Sequence, residues 1–201
     1  MLVDRTVGRQ RPLTRVTTAA TAGHVFFELA AGVGMPLASV LGPFTAATAW
    51  AAGTWTAWRA AATRPARDDP LFAVLDSVSL AAVIAHLAGW PNRPTRLGIP
   101  WLTDCEGLGP RLMPYYNPIL YVSGAAAAAA VLLENRSAPR RLPLLSLPLV
   151  PLLVVAQRAE HRRLKTIAEA HPAWWNRRLM ATARSESERR VRHPRLIEAT
   201  R

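Results

Sequence analysis

The stretch LFAVLDSVSLAAVIAHLAGW, residues 71–90, decides the fold class of this chain. It contains one carboxylate, Asp76, and one histidine, His86, and every other side chain is apolar, small or a serine. At about 1.5 Å of rise per residue, a helix of this length covers most or all of the roughly 30 Å hydrocarbon core of a bilayer. The segment therefore predicts a membrane-spanning helix and, with it, an all-α fold.

Four other apolar runs accompany this segment. Residues 19–41, 43–58 and 117–133 predict three further spans, and the six consecutive alanines in the last of them favour close helix packing. Residues 142–156 form a shorter run with three prolines, each of which removes a backbone hydrogen bond from a helix. We therefore predict a polytopic bundle of four transmembrane helices with a short Pro-rich fifth hydrophobic segment that is re-entrant, interfacial or a fifth span.

The composition agrees with this class. Half of the 201 residues are hydrophobic, 19% are charged, and the net charge is +12. The charges concentrate outside the apolar runs, which excludes both a disordered chain and an ordinary soluble domain. The single cysteine, Cys105, excludes an intramolecular disulfide and a cysteine-based zinc or iron–sulfur site. We predict no metal and no other cofactor.

The distribution of basic residues predicts the topology, because cytoplasmic segments carry the excess of Lys and Arg. Four crossings place 22 of them on one side and 3 on the other, whereas five crossings give 15 against 10. With a single lysine and much alanine favouring a bacterial source, we predict an inner-membrane protein with both termini cytoplasmic. Its parts are a basic N-terminus at residues 1–18, a transmembrane domain at 19–156 and a basic amphipathic tail at 157–201.

The tail is predicted to lie against the membrane surface. It carries twelve Lys and Arg against five Asp and Glu. Basic residues just inside a membrane attract anionic lipid headgroups by about 1 kcal/mol each. We therefore expect lipid rather than nucleic acid as the partner of the tail, since no fold that reads bases accompanies it.

Ionisable side chains within the apolar runs are the candidates for function, since each costs about 2.5 to 3.5 kcal/mol at mid-membrane. His24 and Glu28 are four residues apart and share one face of a helix. Asp76 lies as far into its run as His24 lies into its own, so we expect all three to meet as a catalytic cluster. Burial disfavours the charge of Glu28, so we expect this carboxyl to be partly protonated near neutral pH and to act as a general acid on an isoprenoid or other lipid.

A second polar group, expected nearer to the outer boundary, is predicted to bind the substrate. His86 and Tyr121 lie at a similar depth, and Asp104 and Glu106 form an acidic patch in the loop between their helices. By the same reckoning of depth, His24 and His86 lie about 15 Å apart, which is too far for two ligands of one haem.

Two other interpretations stay open at this point. The intramembrane side chains can form a buried network of ion pairs and hydrogen bonds that fixes helix packing. In that case the protein is a non-catalytic accessory or assembly subunit that binds a partner membrane protein or another copy of itself. Transport of protons or ions through an oligomer is a further alternative.

Overall fold

The computed structural model describes residues 8–139 and 141–180 of the chain. Helices make up most of it, so the predicted all-α class is confirmed. A short antiparallel hairpin, β1 (Asn92–Pro94) with β2 (Pro100–Leu102), lies between two of the helices. The α-helices are α1 (Pro12–Ala31), α2 (Ala38–Leu41), α3 (Pro43–Thr63), α4 (Asp69–Gly89), α5 (Met113–Ala129) and α6 (Ser146–Ala170).

The first helix differs from the predicted span at residues 19–41. α1 starts seven residues earlier and ends ten residues earlier. It ends because Gly32 adopts the left-handed conformation, with a φ of 83°, and donates its N–H to carbonyls of the last turn. A Cβ atom at this position would lie only 2.9 Å from Cγ of Arg177, so the turn requires glycine for space as well as for φ.

Two arginines explain why the helix begins early. Arg11 is fully buried, and its Nη2 lies 2.8 Å from Oδ1 of Asp69. Arg15 places its guanidinium 3.6 Å from the centre of the Trp58 ring. Because both cations have partners inside the protein, the helix can include Arg15 and begin at Pro12, before the uncharged run that starts at residue 19.

The other predicted spans agree more closely with the structure. The span predicted at 43–58 begins where predicted and continues for five more residues as α3. The span predicted at 71–90 is α4, which begins two residues earlier. The span predicted at 117–133 is α5, which begins four residues earlier and continues through a π-helical turn, Ala130–Glu134.

The predicted short segment at residues 142–156 is not a separate element. A 3₁₀ turn, Leu142–Leu145, leads into α6, a continuous helix of 25 residues with Pro151 inside it. α6 therefore crosses the predicted boundary between the membrane domain and the tail. It ends before His171 and Pro172, since a proline disfavours helical conformation in the residue that precedes it.

Side-chain contacts fix the directions of the helices. α1 and α4 are parallel, since Thr14 lies 2.8 Å from Asp76 near their starts and the rings of His24 and His86 lie 5.6 Å apart near their ends. α5 is antiparallel to both, because the hydroxyls of Thr21 and Ser123 pair at 2.9 Å at mid-height and Tyr116, at its start, reaches the end of α1.

α6 runs parallel to α4. Its Gln157 donates to the carbonyl of Ala85, and Arg158, one residue later, donates to the carbonyl of Gly89. The bundle therefore has two ends, which we call the N-terminal end, where α1 and α4 begin, and the hairpin end, where they finish beneath β1 and β2. Residues 8–11 lie at the N-terminal end, and Trp175, whose carbonyl accepts the N–H of Gly34, lies at the hairpin end.

Two helices in the described part of the chain are long and apolar enough to cross a membrane. They are Ala66–Gly89 and Met113–Glu134, and about half of the most apolar window of each, 50% and 44%, is buried inside the protein. α1 and α3 are long enough, but threonines and charged side chains lower their mean hydropathy. Two of the four predicted spans are therefore long and apolar enough to cross a membrane.

Candidate functional site

Three buried side chains meet at the hairpin end of the bundle. His24 and Glu28 project from adjacent turns of α1, and His86 projects from the last turns of α4. The two imidazole rings pack edge to face with their centroids 5.6 Å apart. Nε2 of His86 lies 3.9 Å from Oε1 of Glu28. The parallel course of α1 and α4 is what brings these residues to the same level.

The hydrogen bonding of His86 determines which of its nitrogens faces the site. Nδ1 lies 2.8 Å from the carbonyl oxygen of Ala82, one turn earlier in α4. A carbonyl only accepts hydrogen bonds, so Nδ1 carries the hydrogen and Nε2 carries the lone pair of a neutral ring. A nitrogen lone pair therefore faces the carboxyl group of Glu28.

Tyr116, in the first turn of α5, is the fourth member of the site. Its hydroxyl donates a short hydrogen bond of 2.5 Å to Oε1 of Glu28. It also accepts a weak hydrogen bond from Sγ of Cys105 at 3.9 Å. Tyr116 is fully buried, whereas Tyr115 is 66% exposed. Tyr116 was not predicted as a site residue from the sequence, because two adjacent tyrosines at the end of a span resemble interfacial anchors.

The loop after β2 covers the site. The buried amide of Asn117 holds β2 in place, exchanging two 3.0 Å hydrogen bonds with the backbone of Leu102. Within the loop, Glu106 adopts a left-handed φ of 51°, which is uncommon for a residue other than glycine. Burial raises the pKa of Glu106 to about 7, and the charge of Glu160 adds to this effect. Burial also raises the pKa of the Cys105 thiol.

The donor atoms form two sets that could hold a metal ion. In the first set, one atom each from His24, Glu28 and His86 lie within 4.8 Å of one another. In the second, His86 is joined by Cys105 and Glu106 at the same limit. No metal was predicted from the sequence, because these residues are spread over 83 positions and no short motif connects them.

Asp76 was predicted from the sequence to meet His24 and Glu28, but in the structure it lies apart from them. It lies ten residues before His86, about 15 Å along α4. Its Oδ2 accepts hydrogen bonds from Thr14 at 2.8 Å and from Asn135 at 2.9 Å. The predicted contact between Asp76 and His24 is wrong because α1 begins at Pro12, so His24 lies nearer to the end of α1 than Asp76 lies to the end of α4.

Of the four predicted substrate-binding residues, the structure places His86 and Glu106 in the same cluster as Glu28. Tyr121 lies five residues after Tyr116 on α5, and its ring stacks on that of Trp101 with the centroids 6.3 Å apart. Asp104 accepts the N–H of Gly109 at 2.9 Å and so shapes the loop. Neither Tyr121 nor Asp104 belongs to either set of donor atoms.

An open groove of about 340 Å³ runs between α1, α3 and α4. Its walls are mostly apolar, with a few hydroxyl groups. Thr21, on the α1 wall, lies one turn below His24, so the groove approaches the level of the site from the middle of the bundle. The lining residues include Thr18, Thr21, Leu37, Trp50, Leu75 and Ser79.

Comparisons of the chain with known protein families, with curated proteins and with solved structures gave no match. The function must therefore be inferred from the chemistry of the site. A histidine lone pair and a carboxylate oxygen that face each other repel unless a proton or a cation lies between them. The arrangement is thus suited to acid–base chemistry, to metal binding, or to both.

Proposed function

We propose that the protein is a multi-pass integral membrane protein whose site at the hairpin end performs acid–base chemistry on an isoprenoid or other lipid. The exposed apolar surface of the helices supports the membrane location. Soluble monomers rarely expose contiguous apolar surface on this scale. Side chains more than 60% exposed occur on several helices and on the π-helical turn: Phe44, Trp55, Leu71, Leu132, Leu147 and Val155.

We further propose that the bundle crosses the membrane five times, in place of the four crossings predicted from the sequence. The course of α6 supports this topology, since it carries the chain from the N-terminal end to the hairpin end. Five crossings leave 15 Lys and Arg on the hairpin side and 10 on the other. The hairpin end is then cytoplasmic, the N-terminus is outside, and the tail contacts anionic headgroups of the inner leaflet. Residues 181–201 of the tail lie outside the described residues.

The observation that carries the catalytic proposal is the convergence of Tyr116, Glu28 and His86 under a loop that contains a second carboxyl group. Tyr116 holds Glu28 in one orientation, so that Glu28 and the two histidines bind and polarise the polar head of a substrate. Glu106, from the loop, is the group that exchanges a proton with it. A desolvated carboxyl group close to neutral pKa is suited to this role.

The groove supports a lipid as the substrate. Its volume of about 340 Å³ and its apolar walls match part of an isoprenoid or acyl chain. A substrate with its tail in the groove would place its head towards the hairpin end, where the carboxyl groups lie.

Comparison of the lipids of matched strains tests the proposal. We expect a strain without the protein, and strains carrying Glu106→Gln or Tyr116→Phe, to share one change in their extracted lipids relative to wild type. Glu169→Gln is the matched control, since Glu169 is an exposed carboxylate of α6. Normal membrane levels of each variant exclude a folding defect. Lipids that are identical in the deletion strain and the wild type would remove the catalytic proposal.

An accessory subunit is the second candidate, and the apolar face of α6 favours it. Leu147, Leu152 and Val155 are more than 60% exposed and fall within an arc of about 140° around the helix, since each residue turns it by about 100°. Such a stripe fits a helix of a partner membrane protein. Recovery of one stoichiometric partner after mild solubilisation, lost in Leu152→Ser but kept in Glu106→Gln, would favour this function over catalysis.

A further inference from the structure

We infer that His24, Glu28 and His86 together bind a divalent transition-metal ion, Zn²⁺ or Fe²⁺. This inference deepens the proposed function and rests on it for the role of the ion in the reaction. Binding itself is measurable without any turnover, so the two ideas fail separately.

The orientation of His86 is the first argument. Its Nδ1–H is committed to the carbonyl of Ala82 at 2.8 Å, which leaves Nε2 as an acceptor 3.9 Å from Oε1 of Glu28. Histidines that bind metals in proteins typically donate the other ring N–H to a carbonyl or carboxylate in this way, which fixes the ring and its tautomer. His86 is thus already oriented as a ligand.

The second argument is an unused nitrogen on His24. The residue is only 4% exposed, and its Nδ1 is buried with no hydrogen-bond partner among the residues that the structure describes. A buried polar atom without a partner loses the free energy of its contacts with water. A metal ion coordinated by this nitrogen would remove that cost.

The third argument is the composition of the ligand set. Two imidazoles and one carboxylate, with their donor atoms within 4.8 Å of one another, form the set found in catalytic zinc sites and in non-haem Fe(II) sites. With zinc bound, each nitrogen or oxygen ligand would lie about 2.0–2.2 Å from the metal. Hard cations such as Mg²⁺ prefer all-oxygen ligands and do not suit two histidines.

Neighbouring residues complete the surroundings of a metal site. Tyr116 donates to Glu28 at 2.5 Å and holds the carboxylate in place, as outer residues of metal sites do. Two neutral imidazoles and one carboxylate leave a divalent ion with one net positive charge, which the Glu106 carboxyl group can balance. When bound, the ion would polarise an oxygen of the substrate as a Lewis acid.

Metal uptake by the purified full-length protein tests the inference. The chain is purified in detergent, stripped with a chelator and dialysed against Co²⁺, Zn²⁺ or, without oxygen, Fe²⁺, each alone. We expect one ion per chain, visible ligand-field absorption for Co²⁺, and no displacement by excess Mg²⁺. Comparison of the Zn²⁺ and Fe²⁺ samples shows which ion is held more tightly.

Variants identify the ligands. Uptake should be lost in His24→Ala, His86→Ala and Glu28→Gln, and weakened about 10- to 100-fold in Tyr116→Phe, which removes an outer hydrogen bond. His171→Ala is the matched control for exposed histidines and should bind as wild type.

The change in Tm caused by Zn²⁺ tests metal binding even if one of the variants is unstable. Zn²⁺ should raise the Tm of the stripped wild type and leave the Tm of the nearly isosteric Glu28→Gln unchanged. Wild-type protein that takes up no more metal than a His24→Ala/His86→Ala double variant would overturn the inference, whatever the lipid analysis shows. One bound ion together with an unchanged lipid profile would support the metal site and remove only the catalytic proposal.

Discussion

The rings of His24 and His86 pack edge to face with their centroids 5.6 Å apart, although the sequence analysis placed the two residues at different depths. The same separation of 62 residues relates Thr14 to Asp76, which are hydrogen bonded at 2.8 Å. α1 and α4 thus lie side by side in one parallel register over ten residues. This register places the two histidines in one site and Asp76 in another.

The packing of α1 against α5 predicts that two cysteines introduced at facing positions form a disulfide. The hydroxyls of Thr21 and Ser123 lie 2.9 Å apart, so cysteines at both positions bring their sulfur atoms within bonding reach. We expect Thr21→Cys/Ser123→Cys to form an intramolecular bond under mild oxidation, seen as a mobility shift that a reductant reverses. Thr17→Cys/Ser123→Cys, one turn away on α1, should not. Equal cross-linking of both pairs would contradict the register.

The course of α6 predicts that the two termini lie on opposite sides of the membrane. Reporters fused before Met1 and after Arg201 should give opposite signals. In cells carrying Cys105→Ser, an impermeant maleimide should label Leu97→Cys from the cytoplasmic side and Arg67→Cys from the outside, since both positions are exposed. Reporters that give the same signal at both termini would restore the four-crossing topology.

The buried ion pair at the N-terminal end predicts a large loss of stability when one partner is removed. Arg11 and Asp69 both have fully buried side chains, and Arg11 also donates to the carbonyls of Arg64 and Pro65 at 2.9 and 2.7 Å. Because Arg9 also pairs with Asp69, at 3.0 Å, the larger loss follows removal of Asp69: we expect Asp69→Leu to lower the free energy of unfolding by about 3–5 kcal/mol, since it leaves the buried guanidinium of Arg11 without its carboxylate.

Detergent-solubilised thermal unfolding measures this loss. The double variant Arg11→Met/Asp69→Leu should lose less stability than Asp69→Leu alone, since it removes the fully buried guanidinium together with its carboxylate and leaves only the partly exposed Arg9 without this partner. Arg111→Met, at an exposed position, should change the free energy of unfolding by no more than about 0.5 kcal/mol. A double variant that is less stable than both single variants would show that the pair does not determine the effect.

Glu160 predicts a dependence of stability on acid pH. Burial alone would raise its pKa, but the N–H and hydroxyl of Ser39 and the guanidinium of Arg163 donate to it and lower the pKa below the ordinary value of 4.5. A carboxyl group with a lowered folded pKa stabilises the protein above its unfolded pKa and loses that contribution as the pH falls through the folded pKa. The contribution should therefore be complete above about pH 4.5 and decline below it.

The Tm of wild type and Glu160→Gln, measured between about pH 7 and pH 3, checks this dependence. We expect wild type to be the more stable above about pH 4.5, by at most about 1 kcal/mol because the pair is partly exposed, with the difference closing in acid. Glu169→Gln should follow wild type throughout. A difference between wild type and Glu160→Gln that grows as the pH falls would contradict the assignment.

Local sequence patterns determined the helices. Prolines fix the starts of α3 and α4, and the His171-Pro172 pair ends α6, because proline restricts its own φ and the conformation of the residue before it. The (i, i+4) spacing of His24 and Glu28 put both on one face, since 3.6 residues make one turn. The ionisable side chain within an apolar run singled out His86 as a functional candidate, and the acidic patch of the loop singled out Glu106.

Only the tertiary structure decided which of these residues meet. Arg11 and Arg15 have partners inside the protein, so α1 can begin at Pro12. The register of α1 against α4 therefore differs from the one predicted by counting from the start of the uncharged run. Tyr116 joined the site because α5 packs antiparallel against α1, and Cys105 joined it because Asn117 holds β2 and the loop that follows over the bundle. Helix periodicity fixes faces within a helix, whereas relative depth and loop position depend on contacts between residues far apart in the chain.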